Sequence, residues 1–202
     1  MKDIIKDAFL PWYNALKFLL QNIEKWEMDE KKTFTYQEIA TYTGSNIMDK
    51  WILSSIQSLL KFVRAEMSQY KLYTVLPKLV KFIDTLCNWY VRLNRKRLRG
   101  ETGSEDCYLA INTLYNVLFV MLRLCAPFIP FLTESMYQRI KKYLGENSSK
   151  LEFASIHYLA IPDVNENLID PSTEKLVGVM QKVILLGILK AFAKLKCMPI
   201  KI

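Results

Sequence analysis

Apolar residues recur every three to four positions along most of this chain, the period of helices that bury one face. Residues 4–22 put Ile4, Ile5, Ala8, Phe9, Trp12, Ala15, Leu16, Leu19 and Leu20 on one side, a first helix with an expected kink at Pro11. The period fades over residues 23–45, which are polar and carry Gly44, so a long connection is expected there. Asn46 can cap a second helix, with Asp49 in its first turn, running to about Tyr70 on the apolar face of Ile52, Ile56, Leu59, Leu60 and Val63. A third helix is predicted from Leu72 to Leu98, with Pro77 near its start and Gly100 and Gly103 beyond its end. Ser104 or Glu105 opens a fourth, to about Cys125; Pro127 and Pro130 form a corner, and a fifth starts near Thr133 and stops at Gly145. Phe153–Leu159 reads as extended up to Pro162, and Pro171 and Ser172 open a last helix to about Leu195. The expected fold is mainly α, an antiparallel helical bundle with one short extended segment.

At 202 residues, 51% of them apolar, the chain can bury one sizeable core. No repeat or flexible linker divides it. It is therefore read as one domain over 1–202, with the bundle at about 1–145 and the extended segment and last helix at about 150–196. The four cysteines, at 87, 107, 125 and 197, form no CxxC pair, and with a single histidine they do not fit a Cys/His zinc site. They read as buried, reduced thiols of a cytoplasmic protein. His157 has no partner set around it in sequence and reads as structural; Glu24, Glu27, Asp29 and Glu30 read as a solvated loop rather than a metal cluster. Residues 1–7 are charged and lack the apolar stretch of a signal peptide. The longest apolar runs, 117–122 and 183–189, are too short to span a bilayer, so no membrane partner is expected.

Charge changes the picture more. The formal net charge is +8. Residues 61–99 hold ten Lys or Arg against two acids, Glu66 and Asp84, while the rest of the chain balances at eighteen of each. On a wheel at ~100° per residue, Lys78, Lys81, Thr85, Asn88, Trp89, Arg92, Arg95, Lys96 and Arg99 fall within one arc of about 120°. Asn94 and Arg97 fall on the apolar side. A stripe of this kind, roughly 30 Å long at ~1.5 Å per residue, suits a polyanion. Arginine offers a planar fork to phosphate, Asn88 can bond a base or ribose, and Trp89 can stack on an unpaired base or pack inward beside Phe82.

The segment "TVLPKLVKFIDTLCNWYVRLNRKRLRGE", residues 74–101, resembles the signature helix of the anticodon-binding domain of isoleucyl-tRNA synthetases, which are class I enzymes. "LPWYNALKFLLQN" (10–22), "NIMDKWILSSIQSL" (46–59), "LRLCAPFIPFLTESMYQ" (122–138) and "SIHYLAIP" (155–162) resemble further blocks of that family, in the family's order and over nearly the whole chain. The wording is closest to the eukaryotic cytosolic type. The resemblance implies a helical bundle of the class Ia anticodon-binding type that grips the anticodon stem and loop of isoleucine tRNA. It carries Trp89, Arg92, Arg95 and Arg97 over as contacts within "NWYVRLNRKRL", beside Lys78, Lys81, Asn88, Lys96 and Arg99 of the stripe. It also implies a longer parent that joins isoleucine to tRNA with ATP and magnesium, with catalytic and editing domains as partners in the same chain. The present chain shows neither ATP-site motif. One histidine cannot make a HIGH motif, and "EMSQY" (66–70) lacks both lysines of KMSKS. The 202 residues are thus expected to be non-catalytic, free of cofactor and monomeric. Valyl- and leucyl-tRNA synthetases share this layout and stay open as alternatives, as does a helical scaffold whose basic stripe docks an acidic protein.

Overall fold

The computed structural model describes residues 5–42, 44–150 and 153–196. Among the described residues, seven helices make one bundle: α1 (Leu10–Glu30), α2 (Ile47–Ser68), α3 (Leu72–Thr85), α4 (Arg95–Leu98), α5 (Ser104–Cys125), α6 (Pro130–Ile140) and α7 (Pro171–Lys196). Single π turns lie at Ile5–Phe9 and Leu86–Val91, and short 3-10 turns at Lys141–Ser149, Ile156–Tyr158 and Glu166–Leu168. The described residues contain no strand, and the fold is the mainly helical bundle that the periodicity predicts.

Helix α5 is the axis of the molecule. Residues 110–122 are buried without a break, and α1, α2, α4 and α6 all pack on it. A helix apolar on every side must lie inside other protein or inside lipid. By length and composition α5 would qualify for either, and 83% of its most apolar stretch is inside the bundle.

Apart from the predicted third helix, and from α6, which ends at Ile140 rather than Gly145, two segments differ from the expected ones. Helix α1 continues to Glu30, where Lys31 closes it in a left-handed conformation. Its last turns look polar because they bury only a narrow stripe, Ile23 and part of Trp26, while Glu24, Lys25, Met28 and Asp29 face solvent. Pro11 sits at the start of α1 rather than kinking its middle. The remaining connection, 31–46, is pinned along the bundle. Phe34 is buried among Trp26, Tyr108, Tyr115 and Tyr143, and the Asn112 carboxamide bonds both backbone groups of Gln37, at 3.0 and 2.8 Å.

The second difference is at Phe153–Leu159. This segment is not a strand: Ser155 and Leu159 are extended, but a 3-10 turn stands between them, and the Ser155 hydroxyl caps it. Two helix starts are set by side chains, the first of them as expected. The Asn46 side chain accepts from Met48 N at 2.8 Å to open α2. Asp170 accepts from the backbone of Ser172 and Thr173 ahead of α7, and Glu174 of α7 takes the hydroxyls of Ser54 and Ser58 on α2.

Candidate nucleic-acid interface

The predicted third helix is interrupted. Helix α3 passes at Thr85 into the π turn Leu86–Val91, breaks at Asn94, and resumes for one turn as α4. Val75, Leu79, Phe82, Ile83, Leu86, Tyr90 and Val91 face the core. Val80 and Leu93, on the apolar side of an ideal wheel, are instead exposed.

Lys78, Lys81, Asn88, Arg92, Arg95, Lys96 and Arg99 are exposed along the outer side. Trp89 is half-buried and packs against the core, so part of its ring is committed inward. Among the described residues none of these six cations has a carboxylate within 4.0 Å. Their other contacts are mild. The Lys78 ammonium stands 5.4 Å from the Phe62 ring and the Arg95 guanidinium 5.8 Å from the Phe18 ring. The Asn88 amide donates to Asp84 at 2.6 Å.

Two other cations of the 61–99 excess do not join them. Lys61 pairs with Glu166 at 2.8 Å, and Arg64 pairs with Asp163 at 3.0 Å while holding the carbonyls of Ile161 and Pro162. They fasten α2 to the segment leading into α7.

Arg97 departs from its expected role. Its side chain is 9% exposed and its guanidinium is enclosed by acids. Nε donates to both oxygens of Asp106; Nη1 and Nη2 each reach Asp49 at 3.0 Å, and Nη2 reaches Asp106 at 2.6 Å. Asp49 is fully buried and also accepts from the hydroxyls of Tyr42 and Tyr90, both at 2.7 Å. Burial works against the charge on Arg97, but the bonds to Asp106 and Asp49 outweigh it and hold its pKa above the ordinary arginine value. The Arg97 bond is also the main reason that Asp106 lies below the usual carboxylate range. A guanidinium so bound has no fork left for phosphate. Arg97 instead ties together the first turns of α2 and α5 and the single turn of α4. The sequence hints at this only by placing Arg97 on the apolar side of the wheel; its acids lie 48 and nine residues away.

The cysteine environments are inert. Cys107 and Cys125 are buried, and burial pushes the Cys87 and Cys125 thiols up to about 12. Cys197 lies outside the described residues. His157 is exposed, with its backbone N–H bonded to the Ser155 hydroxyl.

An exposed line of six cations, none of them paired with a carboxylate among the described residues, on a helical support fits a regular array of phosphates. The sequence model of the family described as "Anticodon-binding domain of tRNA ligase" matches residues 49–193. Over 202 residues the chain is 49% identical to the cytoplasmic isoleucine–tRNA ligase of Mus musculus, covering all of this chain and 16% of that protein. It is 46% identical over 201 residues to the probable cytoplasmic isoleucine–tRNA ligase of Dictyostelium discoideum, covering 100% of this chain and 18% of that protein. It is 36% identical over 187 residues to the isoleucine–tRNA ligase of Chlamydia trachomatis, covering 93% of this chain and 17% of that protein. The chain thus spans about one sixth of the length of these relatives and corresponds to their anticodon-binding portion rather than to a catalytic core. On this fold, and with a family match over most of its length, the chain belongs to the anticodon-binding domains of the tRNA ligases, in the form similar to cytoplasmic isoleucine–tRNA ligases.

Proposed function

We propose that this chain grips the anticodon stem and loop of isoleucine tRNA, as the RNA-holding module of a cytoplasmic isoleucine–tRNA ligase. The whole protein would join isoleucine to that tRNA with ATP and magnesium, in catalytic parts outside these residues. The observation that carries the reading is the row of six exposed, unpaired cations from Lys78 to Arg99. In this role Lys78, Lys81, Arg92, Arg95, Lys96 and Arg99 meet phosphates. Asn88 and the outer edge of Trp89 meet sugar or base. Arg97 acts from inside, by holding α4.

A second reading, a scaffold whose basic stripe docks an acidic protein, adds a second surface. Helix α7 exposes Leu176, Val179, Val183, Leu185 and Leu186, an apolar side that a protein partner would cover. Competition separates the two. Fluorescence anisotropy of the 202-residue chain with labelled isoleucine tRNA, challenged by unlabelled tRNA and by heparin, should show displacement by tRNA at a far lower phosphate concentration than heparin sulfate. Equal displacement by both polyanions would leave only charge and would defeat the anticodon reading. The chain by itself should give no isoleucine-dependent ATP–pyrophosphate exchange above a blank.

A further inference from the structure

A recess apart from the basic row shares no residue with it. About 300 Å³ opens between α2, α5, the connection 31–46 and the segment leading into α7, with Gln57, Asn116, Phe119 and Arg123 on the helices and Glu38 and Asp163 on the segments. The two segments are joined by the Asn165 carboxamide, which donates to the Ala40 carbonyl at 2.6 Å. Gln57 and Asn116 are each only 6% exposed, and each uses one end of its carboxamide within the fold. Gln57 Oε1 accepts from Asn165 N at 2.9 Å, and Asn116 Nδ2 donates to the Tyr36 hydroxyl at 2.6 Å. The opposite ends, Gln57 Nε2 and Asn116 Oδ1, have no partner among the described residues and are not sealed inside the protein, so they face the recess. A buried donor or acceptor left without a partner is costly, so these two ends call for something to fill the space between them.

Charge in the recess is unmatched in the same way. Arg123 is half-buried, gives Nε and Nη2 to the Ala160 carbonyl, and stands 5.5 Å from the Phe119 ring. Nη1 is unused, and no carboxylate among the described residues comes within 4.0 Å of the guanidinium. Burial pushes its pKa below the ordinary arginine value, against smaller upward pulls from Tyr36, Glu38, Tyr137 and Asp163. Asp163 is taken by Arg64, whereas Glu38 is exposed and has no ion pair among the described residues. Opposite charges that share a recess without touching leave room for a molecule that carries both signs. A phosphate would meet the Glu38 carboxylate, and a plain cation would meet Arg123. Phe119, Phe153 and Ile39 give the recess an apolar side, and its volume is at the small end of the roughly 300–1,000 Å³ of ligand sites. We propose that this recess binds a small apolar zwitterion of the amino-acid class. Its carboxylate lies on Arg123 and Gln57 Nε2, its ammonium on Asn116 Oδ1 and Glu38, and its side chain against Phe119 and Phe153.

The test uses the 202-residue chain, which holds no catalytic core to bind an amino acid on its own account. The probe is L-leucine in isothermal titration calorimetry, beside isoamylamine, isocaproate and N-acetyl-leucinamide. L-Leucine should bind saturably, one molecule per chain, with a Kd below about 1 mM, and should raise the melting temperature. The amine and the acid, which carry one charge each, and the uncharged peptide mimic should bind more weakly by about tenfold, the worth of one charge-assisted hydrogen bond. Glu38→Gln changes an exposed carboxylate that holds nothing in the fold, so the free protein should melt as the parent does and bind L-leucine about tenfold more weakly. Arg123→Gln should remove binding; if it also loosens the segment at Ala160, Glu38→Gln decides. No saturation by about 10 mM would mean that water alone fills the recess, and the proposal falls. Isocaproate or N-acetyl-leucinamide binding as tightly as L-leucine also overturns it, because the recess would then hold an anion or a peptide. A Glu38→Gln variant that binds L-leucine like the parent removes the ammonium site and the proposal with it.

Discussion

Arg97 and its neighbours Arg95, Lys96 and Arg99 show that one charge type serves two purposes within five residues. Arg97 is enclosed by Asp49 and Asp106, while the others are exposed and unpaired. Removing one partner of a buried pair leaves the other as an uncompensated charge, and Asp49 has no exposure at all. Arg97→Met should therefore cost about 3–5 kcal/mol in urea unfolding, well beyond a surface substitution. Adding Asp49→Asn should recover part of that loss, because the stranded charge is then gone. Acid reports on the same cluster. Asp106 is held below its ordinary value by Arg97, so its contribution is present above the unfolded carboxylate range and is lost as pH falls through its lower folded value. The melting temperature of the parent should exceed that of Asp106→Asn near neutral pH, and the gap should close in acid. A gap that stays constant into acid would show that Asp106 does not titrate with folding. At this scale the sequence tells which residues are outside: the positions sharing the polar arc of the wheel, Lys78 through Arg99, are those the structure exposes, apart from the half-buried Trp89 and Thr85. It cannot tell what Arg97 meets, because a pair that spans 48 residues leaves no local pattern.

Element boundaries are legible where a side chain signals them and illegible where tertiary packing decides. Asn46 announces α2 with its own hydrogen bond, and Asn46→Ala should lower stability by about 1 kcal/mol, read as a shift of the urea midpoint with unchanged slope. Gly100 has φ +81° and ends the basic helix in a conformation that side chains disfavour. Gly100→Ala should therefore also destabilise, by on the order of 1 kcal/mol. The last turns of α1 are hidden in the sequence because only Ile23 and Trp26 supply the inward stripe. Lys25 within those turns reaches the Arg99 carbonyl and so links α1 to the end of the basic helix. The π turn Leu86–Val91 is likewise silent in the periodicity: an ideal wheel runs through it, yet Leu93 beyond it emerges into solvent. Phe153–Leu159 reads as extended, but no neighbouring strand among the described residues offers it a ladder, and Glu134 of α6 instead binds Ser155 Oγ and Ile156 N at 2.9 and 3.1 Å.

For the whole molecule, six exposed cations without a carboxylate partner among the described residues lie on a surface supported by a helix that is buried over residues 110–122. Burial of residues 110–122 of α5 on all sides makes the bundle a firm frame, and the cations ride on the helices around it. Such a frame should bind RNA chiefly through phosphates, with counterion release setting the salt dependence. If four or five of the six free cations each meet a phosphate, log affinity against log salt should fall with a slope of about −3, taking ~−0.7 per phosphate neutralised on single-stranded RNA. The most direct test compares the parent with Arg92→Glu plus Arg95→Glu in isoleucine tRNA binding across a salt series, with thermal melts of both proteins. Both side chains are exposed, so the melts should agree. Binding should weaken by several kcal/mol, at about 1–3 for each charge-assisted hydrogen bond removed, and the slope should flatten by about 1.4. A double variant that melts like the parent and binds isoleucine tRNA with the same affinity and slope would contradict the account, because the row from Lys78 to Arg99 would then not be where the RNA lies.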